Sequence, residues 1–467
     1  MAKLHFLGAN RQVTGSRYCL ETRRSRVMVD CGMFQERPFE SRNWEDTAIP
    51  PASIDAMVLT HAHIDHCGLI PRLVRNGFQA PIHCTPPTAE LTEVMLRDAA
   101  HIQGEDVEYK IKRHRKEGRV DVKEPQPLFD DRDVDRTIPL LQSAAYDRRV
   151  EVTKDISVTF REAGHILGSA MLDFEIVEDE RTLRVVFSGD IGQRGKPILQ
   201  DPTQFSAADY VVMESTYGDR DHEQAGDILG QLERVIQSTL SAGGNVVIPT
   251  FAVERAQELL YFLSQLVHAQ RIPLVPVYVD SPMAADVTNI FQRHRDRFDE
   301  DMWKRIQQSV PPLDFPGLVF SRTTEESKAI NGDRRPAIIL STAGMCNAGR
   351  IKHHLRQNLP NPRSTILFVG FQAQGTLGRQ ILDGKPEVRI HNRMCPVRAK
   401  VDKIYGFSGH ADRAGLLHWA SGFEKPPRRV FLTHGEESAA ESLAAELRAV
   451  HQWDVLIPHY ASTTDLR

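Results

Sequence analysis

"VLTHAHIDHCG", residues Val58–Gly68, sets three histidines and an aspartate within six positions, directly after an apolar run. The run reads as a buried strand. On an extended strand end, side chains at i and i+2 point the same way, so His61 and His63 can grip one cation. Asp65 and His66, on the loop beyond or at a helix start, can reach a second cation close by. Imidazole and carboxylate together suit Zn²⁺ best, with Fe or Mn as alternatives. A lone histidine is usually a surface or hydrogen-bonded core residue, but such a concentration of ligand-type residues is a metal signal.

Other apolar runs along the chain also end on one reactive group. "RVMVD" ends at Asp30, "ISVTFREAGH" leads to His165, "LRVVFSGD" ends at Asp190, "DYVVMES" contains Glu214, "VDKIYGFSGH" ends at His410 and "RRVFLTH" ends at His434. Enrichment in Val, Ile, Phe and Leu over so few residues reads as strands, which place these groups in loops at one sheet edge. Asp30 reads as a support that hydrogen-bonds a ligand histidine, not as a ligand.

The chain has 467 residues, 41% hydrophobic and 26% charged, the balance of an ordinary globular protein with room for several domains. No apolar run approaches the roughly 18 residues of a membrane span, and no secretory h-region stands near Met1, so cytoplasm is expected and a membrane partner is not. Six scattered cysteines form no C-x-x-C pair and read as reduced, mostly buried thiols. A formal net charge of -4 excludes the globally basic surface of a nonspecific nucleic-acid binder, so any polyanion must be held locally. The polar stretch "YKIKRHRKEGR" reads first as a solvated helix face and second as a basic contact for a polyanion.

From about Asp219 to Met394 the texture changes. "GDILGQLERVIQSTLSAGGNVVIPT" predicts a helix ended by Gly243-Gly244, then a strand. "ERAQELLYFLSQLVHA" predicts a second, amphipathic helix, and "LVPVYVD", "PAIILST" and "STILFVGF" predict further strands of an α/β unit with a parallel sheet. None of the strand-end acids and histidines above falls here, although they flank the segment on both sides. It reads as a domain inserted into another. Within it, Gly344, Gly349 and Arg350 of "STAGMCNAGR" could cradle a phosphate, as could Ser408 and Gly409 beside His410; an ordinary turn is the competing reading of each.

H-x-H-x-D-H resembles the signature of the metallo-β-lactamase fold, an αββα sandwich with metals at one edge between its sheets. Asp30 in "VMVDCGMFQ", His165 in "AGHILGSA" and Asp190 in "FSGDIG" match its other motifs. "MESTYG" with Glu214, "GFSGHAD" with His410, "FLTHGE" with His434 and "STAGMCNAGR" look like the β-CASP group, nucleases of nucleic acids that include the cleavage and polyadenylation endonuclease subunit. The resemblance implies an α/β architecture. Residues 1–217 and 395–467 would form the two parts of the metallo-β-lactamase core, and 218–394 the inserted β-CASP domain. It also implies that His61, His63 and His165 bind one metal, that Asp65, His66 and His434 bind the other, and that Asp190 bridges them. His410 would be the general acid and Glu214 its partner.

The cofactor expected is two Zn²⁺, with Mn²⁺ as substitute, and the substrate single-stranded RNA; a homodimer is compatible with the sequence. Two such ions, two ligand aspartates and one hydroxide leave the centre at about +1, which attracts an anion although the whole chain is acidic. A metal-bridging hydroxide would attack the phosphodiester, Asp65 orienting it and His410 protonating the leaving oxygen. A nuclease acting on DNA, or a thioester, ester or lactam hydrolase on the same core, is the alternative. A noncatalytic scaffold is disfavoured because every ligand position is filled.

Overall fold

The structure is a computed structural model that describes every residue except 1, 118–123, 179–180, 224–225 and 309. The chain forms two compact units, one of Met1–Gly195, Asp201–Asp221 and His410–Arg467, the other of Lys196–Gln200 and His222–Gly409.

In the first unit, alternation along the strands builds two sheets that share one core. Val27 and Val29 of strand Arg26–Val29 join Leu4, Phe6, Val58, Phe160, Phe174, Phe187, Val212 and Phe431 in a single buried cluster drawn from both sheets. Between those two valines, Met28 points to the opposite face, where it packs with Met57, Ile70, Leu73 and Leu96 in a second cluster that includes helical residues. The other sheet repeats the device. Val211, Met213, Val430 and Leu432 face away from the shared core and meet Leu416, Trp419 and Leu443 of helices Arg413–Ala420 and Glu437–His451. Two sheets back to back, each covered by helices, give the αββα sandwich.

The sheet order explains why the reactive groups gather. In one sheet, strands Arg26–Val29 and Ala56–Val58 are parallel neighbours, so Asp30 and the His61 loop leave from the same edge. In the other, Arg181–Phe187, Tyr210–Glu214 and Arg429–Thr433 are parallel neighbours, which sends Asp190, Glu214 and His434 out together. Tyr210–Glu214 and Arg429–Thr433 pair in register from Tyr210↔Arg429 to Glu214↔Thr433, although the intervening unit separates them in sequence. An insertion at that point leaves the core sheet unbroken.

The second unit is built on an all-parallel sheet of six strands: Leu318–Ser321, Val277–Asp280, Ile338–Ser341, Val246–Pro249, Thr365–Phe368 and Lys400–Lys403, in that spatial order. Val247, Ile339, Ile366 and Phe368 pack on Ile351, Leu355 and Ile381 of flanking helices. The expected helices form over Ile228–Ser241 and Arg255–His268. The second, amphipathic as expected in sequence, is nonetheless covered nearly all round, with Gln257, Glu258 and Ser264 buried along with its leucines. Gln257 Nε2 donates to Thr288 Oγ1 and Ser264 Oγ to the Pro311 carbonyl, both at 2.9 Å, while Gln257 Oε1 makes no hydrogen bond.

A strand-end acid does occur in this unit. Asp280 closes strand Val277–Asp280, is fully buried, and is ion-paired with His354 at 2.6 Å. The polar helix runs Pro86–Lys116 and is buried on one face only as far as Ala100. Its lysines and arginines beyond are exposed, which matches the solvated reading; Gly118 and Arg119 of that stretch lie outside the described residues. All six cysteines are buried and free.

Candidate metal centre

The "HAHIDH" turn is held by backbone bonds before any side chain is considered. Ser16 N–H donates to the Asp65 carbonyl at 2.8 Å, Cys31 N–H to the His66 carbonyl at 2.7 Å and Met33 N–H to the Ile64 carbonyl at 2.9 Å. Gly32 is required there, since a Cβ would stand 1.6 Å from the Asp65 carbonyl oxygen. The His61 loop is thereby fixed against the Asp30 segment, and rigid strands hold both.

Two sets of donor atoms result. His61 Nε2 and His165 Nε2 each lie 3.1 Å from His63 Nδ1, and each lies 3.4 Å from Asp190 Oδ2. His66 Nε2 lies 3.2 Å from Asp190 Oδ1, and His434 Nε2 lies 3.5 Å from both Asp190 Oδ1 and Asp65 Oδ2. The two oxygens of Asp190 thus face different sets. Four ligands about 2.0–2.1 Å from a tetrahedral zinc stand roughly 3.3 Å from one another, so the first set has the spacing of a zinc shell. Asp190 Oδ1 and His434 Nε2 are buried with no hydrogen-bond partner, a costly condition unless a cation takes their lone pairs. The residues present fit a pair of divalent ions.

The second nitrogen of several imidazoles is spoken for. Asp30 accepts from His66 Nδ1 at 2.7 Å and from the Thr60 amide and hydroxyl at 2.8 Å each, as expected of a support. Thr60 Oγ1 also lies 3.0 Å from His61 Nδ1, and Thr216 Oγ1 lies 3.0 Å from His434 Nδ1. Neither threonine stood out in the sequence. Thr60 could have been read as a hydroxyl beside the ligand His61 in "LTHAH", whereas Thr216 carried no such signal, its partner His434 lying 218 residues along the chain.

Burial, with the nearby charge of His66, pushes His61 down to about 3. Burial also takes His63 down to about 4 and His165 well below the usual histidine value. These three imidazoles are therefore neutral at pH 7 and offer free lone pairs, as ligation needs. Burial opposes a charge on His66 and His434 too, but the carboxylates of Asp190, Asp30 and Asp65 outweigh it and raise both. Asp65 and Asp190 stay ionised well below the usual carboxylate range, burial being overcome by the surrounding imidazoles.

His410 belongs to neither set, but with Asp190 and Glu214 it forms a third cluster of possible ligand atoms, and its ring lies 4.5 Å from that of His165. Its Nδ1 is 3.2 Å from each oxygen of Glu214, which is buried and also accepts the Ile191 amide, and its Nε2 points to Asp190 Oδ2 at 3.9 Å. Burial resists protonation of His410, yet the carboxylates of Glu214 and Asp190 raise it to about 9. Tyr217 lies edge-on to the His410 ring at 6.2 Å, with Arg220 over the tyrosine at 5.0 Å.

The weaker phosphate candidates sit in the second unit and are placed differently from one another. Arg350 spends its guanidinium on Asp280 at 2.8 Å and on the carbonyls of Ser321 and Arg322 at 3.2 and 2.8 Å. Gly349 has φ +73°, with the space of a side chain taken by the Thr342 carbonyl at 2.7 Å, while Gly344 lies buried under the ring of Phe251. Ser408 and Gly409 are half-buried in the segment leading to His410.

Three family profiles match in chain order: the metallo-β-lactamase superfamily over residues 13–238, the Beta-Casp domain over 256–381 and the Zn-dependent metallo-hydrolase RNA specificity domain over 394–458. The chain is 40% identical over 431 residues to Ribonuclease TTHA0252 of Thermus thermophilus, covering 92% of each. It is 34% identical to the transcription termination factor FttA of Methanosarcina mazei, covering 94% of this chain and 68% of that one. A crystal structure of a protein of unknown function from Enterococcus faecalis shares the fold, with TM-score 0.59, 12% identity and 99% of both chains covered.

Proposed function

The chain belongs to the β-CASP group of the metallo-β-lactamase superfamily and is a hydrolase of that group, and we propose that it is a two-zinc ribonuclease that cuts single-stranded RNA. The observation that carries the proposal is Asp190, whose two oxygens face two separate donor sets while one of them lacks any hydrogen bond. His61, His63 and His165 would hold one ion, Asp65, His66 and His434 the other, with Asp190 between them. When bound, such a pair supplies Lewis acidity toward the nonbridging phosphate oxygens and lowers the pKa of water toward about 7.

The chain's own residues supply the rest. Asp65, only partly buried and ionised, orients the attacking water. Glu214 keeps His410 protonated and turns its Nε2–H toward the Asp190 side of the site. As the water oxygen bonds to phosphorus, the P–O3′ bond breaks and His410 gives its proton to the departing oxygen, leaving a 5′-phosphate and a 3′-hydroxyl. RNA as substrate is supported by the name of the Thermus relative and by the RNA specificity profile.

The test begins with purified protein, which should carry close to two zinc or manganese atoms per chain. His63→Ala should lose metal and cleavage together. Single-stranded RNA, DNA and a thioester are then compared at equal concentration, with RNA expected to be cut fastest. Metal-free protein that still cuts RNA would end the proposal, and preference for DNA or the thioester would reassign the substrate.

A further inference from the structure

Three neighbouring strands of the second unit, Ile338–Ser341, Val246–Pro249 and Thr365–Phe368, run parallel, so the loops that follow them emerge side by side. Ligands of open parallel sheets bind outside the carboxyl ends of the strands. Two of these loops each present a phenylalanine to solvent just past the strand end, Phe251 at 44% and Phe371 at 56% exposure. Among the described residues, no aromatic ring stacks on either.

The loops are bound to each other. Gln372, itself buried, donates to the carbonyls of Gly344 and Phe371 at 3.0 Å each. Leu377 N–H donates to Asn347 Oδ1 at 2.9 Å, Gly378 N–H to the Met345 carbonyl at 3.1 Å, and Arg255 to the Val369 carbonyl at 2.7 Å. The ring of Phe251 rests on Gly344, where even a methyl group would stand 2.9 Å from a ring carbon. One ring face is therefore backed by a residue with no side chain, and the exposed remainder of the ring is held in place by the loop beneath.

We infer that Phe251 and Phe371 are a stacking platform for unpaired bases of a single strand of RNA. The choice of occupant follows from the surroundings. A protein partner would need a continuous apolar patch, whereas the other exposed residues of these loops are Asn347, Ala348, Gly349, Gln374 and Gly375. Flat aromatic faces on a polar, preordered loop set are what bases stack on, whatever their sequence. The platform also gives Gly344 a purpose other than phosphate binding, since it lets the Phe251 ring lie flat on the backbone.

This inference rests on the ribonuclease reading for its ligand, and the test separates the two. A fluorescent oligoribonucleotide is titrated into full-length His63→Ala protein, with and without Phe251→Ala or Phe371→Ala; both rings are exposed, so folding should be unaffected. Each alanine should weaken binding about tenfold or more, and Phe→Trp should restore it. In the cleaving enzyme the same alanines should raise KM and leave kcat within about twofold. An oligomer with abasic sites should bind the parent protein weakly and lose nothing further in the alanine variants. RNA cut normally by both alanine variants, with unchanged affinity, would overturn the platform and leave the ribonuclease reading standing. Ring-dependent RNA binding by a protein that cuts no RNA would keep the platform and remove that reading.

Discussion

Each unit of the molecule buries an aspartate against histidine at the end of a parallel strand, and the two clusters are built to opposite rules. At Asp280 everything closes. Its oxygens take Ser327 Oγ at 2.6 Å, His354 Nε2 at 2.6 Å and Arg350 Nη1 at 2.8 Å, and the other nitrogen of His354 faces Asn331 Oδ1 at 3.2 Å. At Asp190, imidazoles and a second carboxylate crowd together, and two buried atoms, Asp190 Oδ1 and His434 Nε2, are left over. The same residue types make a structural lock when donors and acceptors balance, and a cation site when acceptors exceed donors.

The comparison is broken most sharply by exchanging the consequences. Asp190→Ala removes a ligand from both sets, so cleavage should fall roughly 10³-fold or more and metal content should drop well below two per chain. Asp280→Ala should leave metal content unchanged. Inductively coupled plasma analysis of the two variants, read beside their single-turnover rates, decides the matter; equal metal loss would mean the clusters are not distinct in kind.

Next in size is His410. His410→Ala should slow cleavage about 10²–10⁴-fold while keeping both metals. Because Glu214 raises His410, the acid form persists below that raised value, and activity should fall as pH rises through it. Glu214→Gln removes the raising charge, so the alkaline limb of the rate profile should move to lower pH. An unmoved limb would separate Glu214 from the proton. Asp30→Asn acts more gently, through the orientation of His66, and should weaken metal affinity about 10–100-fold, measured by chelator competition.

Much of the metal centre was legible in the sequence because strands deliver their ends to one edge. Asp30, His61, Asp190, Glu214 and His434 each stand at or just past an apolar run, and the sheet order makes those ends coincide. Partners on other segments were not legible. Thr216 and His434 are 218 residues apart, and Asp280 and His354 are 74 apart, so only the folded chain identifies either pair. Arg350 looked free to hold phosphate for the same reason, its partners Asp280 and Ser321 being distant in sequence. Exposure is equally nonlocal. Nothing in "TFAVER" or "VGFQAQG" tells that Phe251 and Phe371 face water while Phe368, ending the strand that leads to Phe371, is buried.

The smallest effect concerns the locked cluster alone, and acid distinguishes it from the metal centre. Burial works against the Asp280 carboxylate, but the bonds from His354, Ser327 and Arg350 prevail and hold it down to about 2. A depressed carboxylate contributes stability that is present above its unfolded value near 3.9 and is lost as pH falls through the folded one. Over that window, denaturant midpoints of the parent should decline more steeply than those of Asp280→Asn, which is already destabilised by about 3 kcal/mol at neutral pH through the unpaired His354 and Arg350. The metal centre should fail earlier on the same titration, because protons compete with cations for the raised imidazoles of His66 and His434. Metal release detected by a colorimetric chelator should therefore precede the drop in midpoint that Asp280 causes. If both came together, and in Asp280→Asn as well, the second unit's lock would owe its stability to the metals and not to its own saturated bonds.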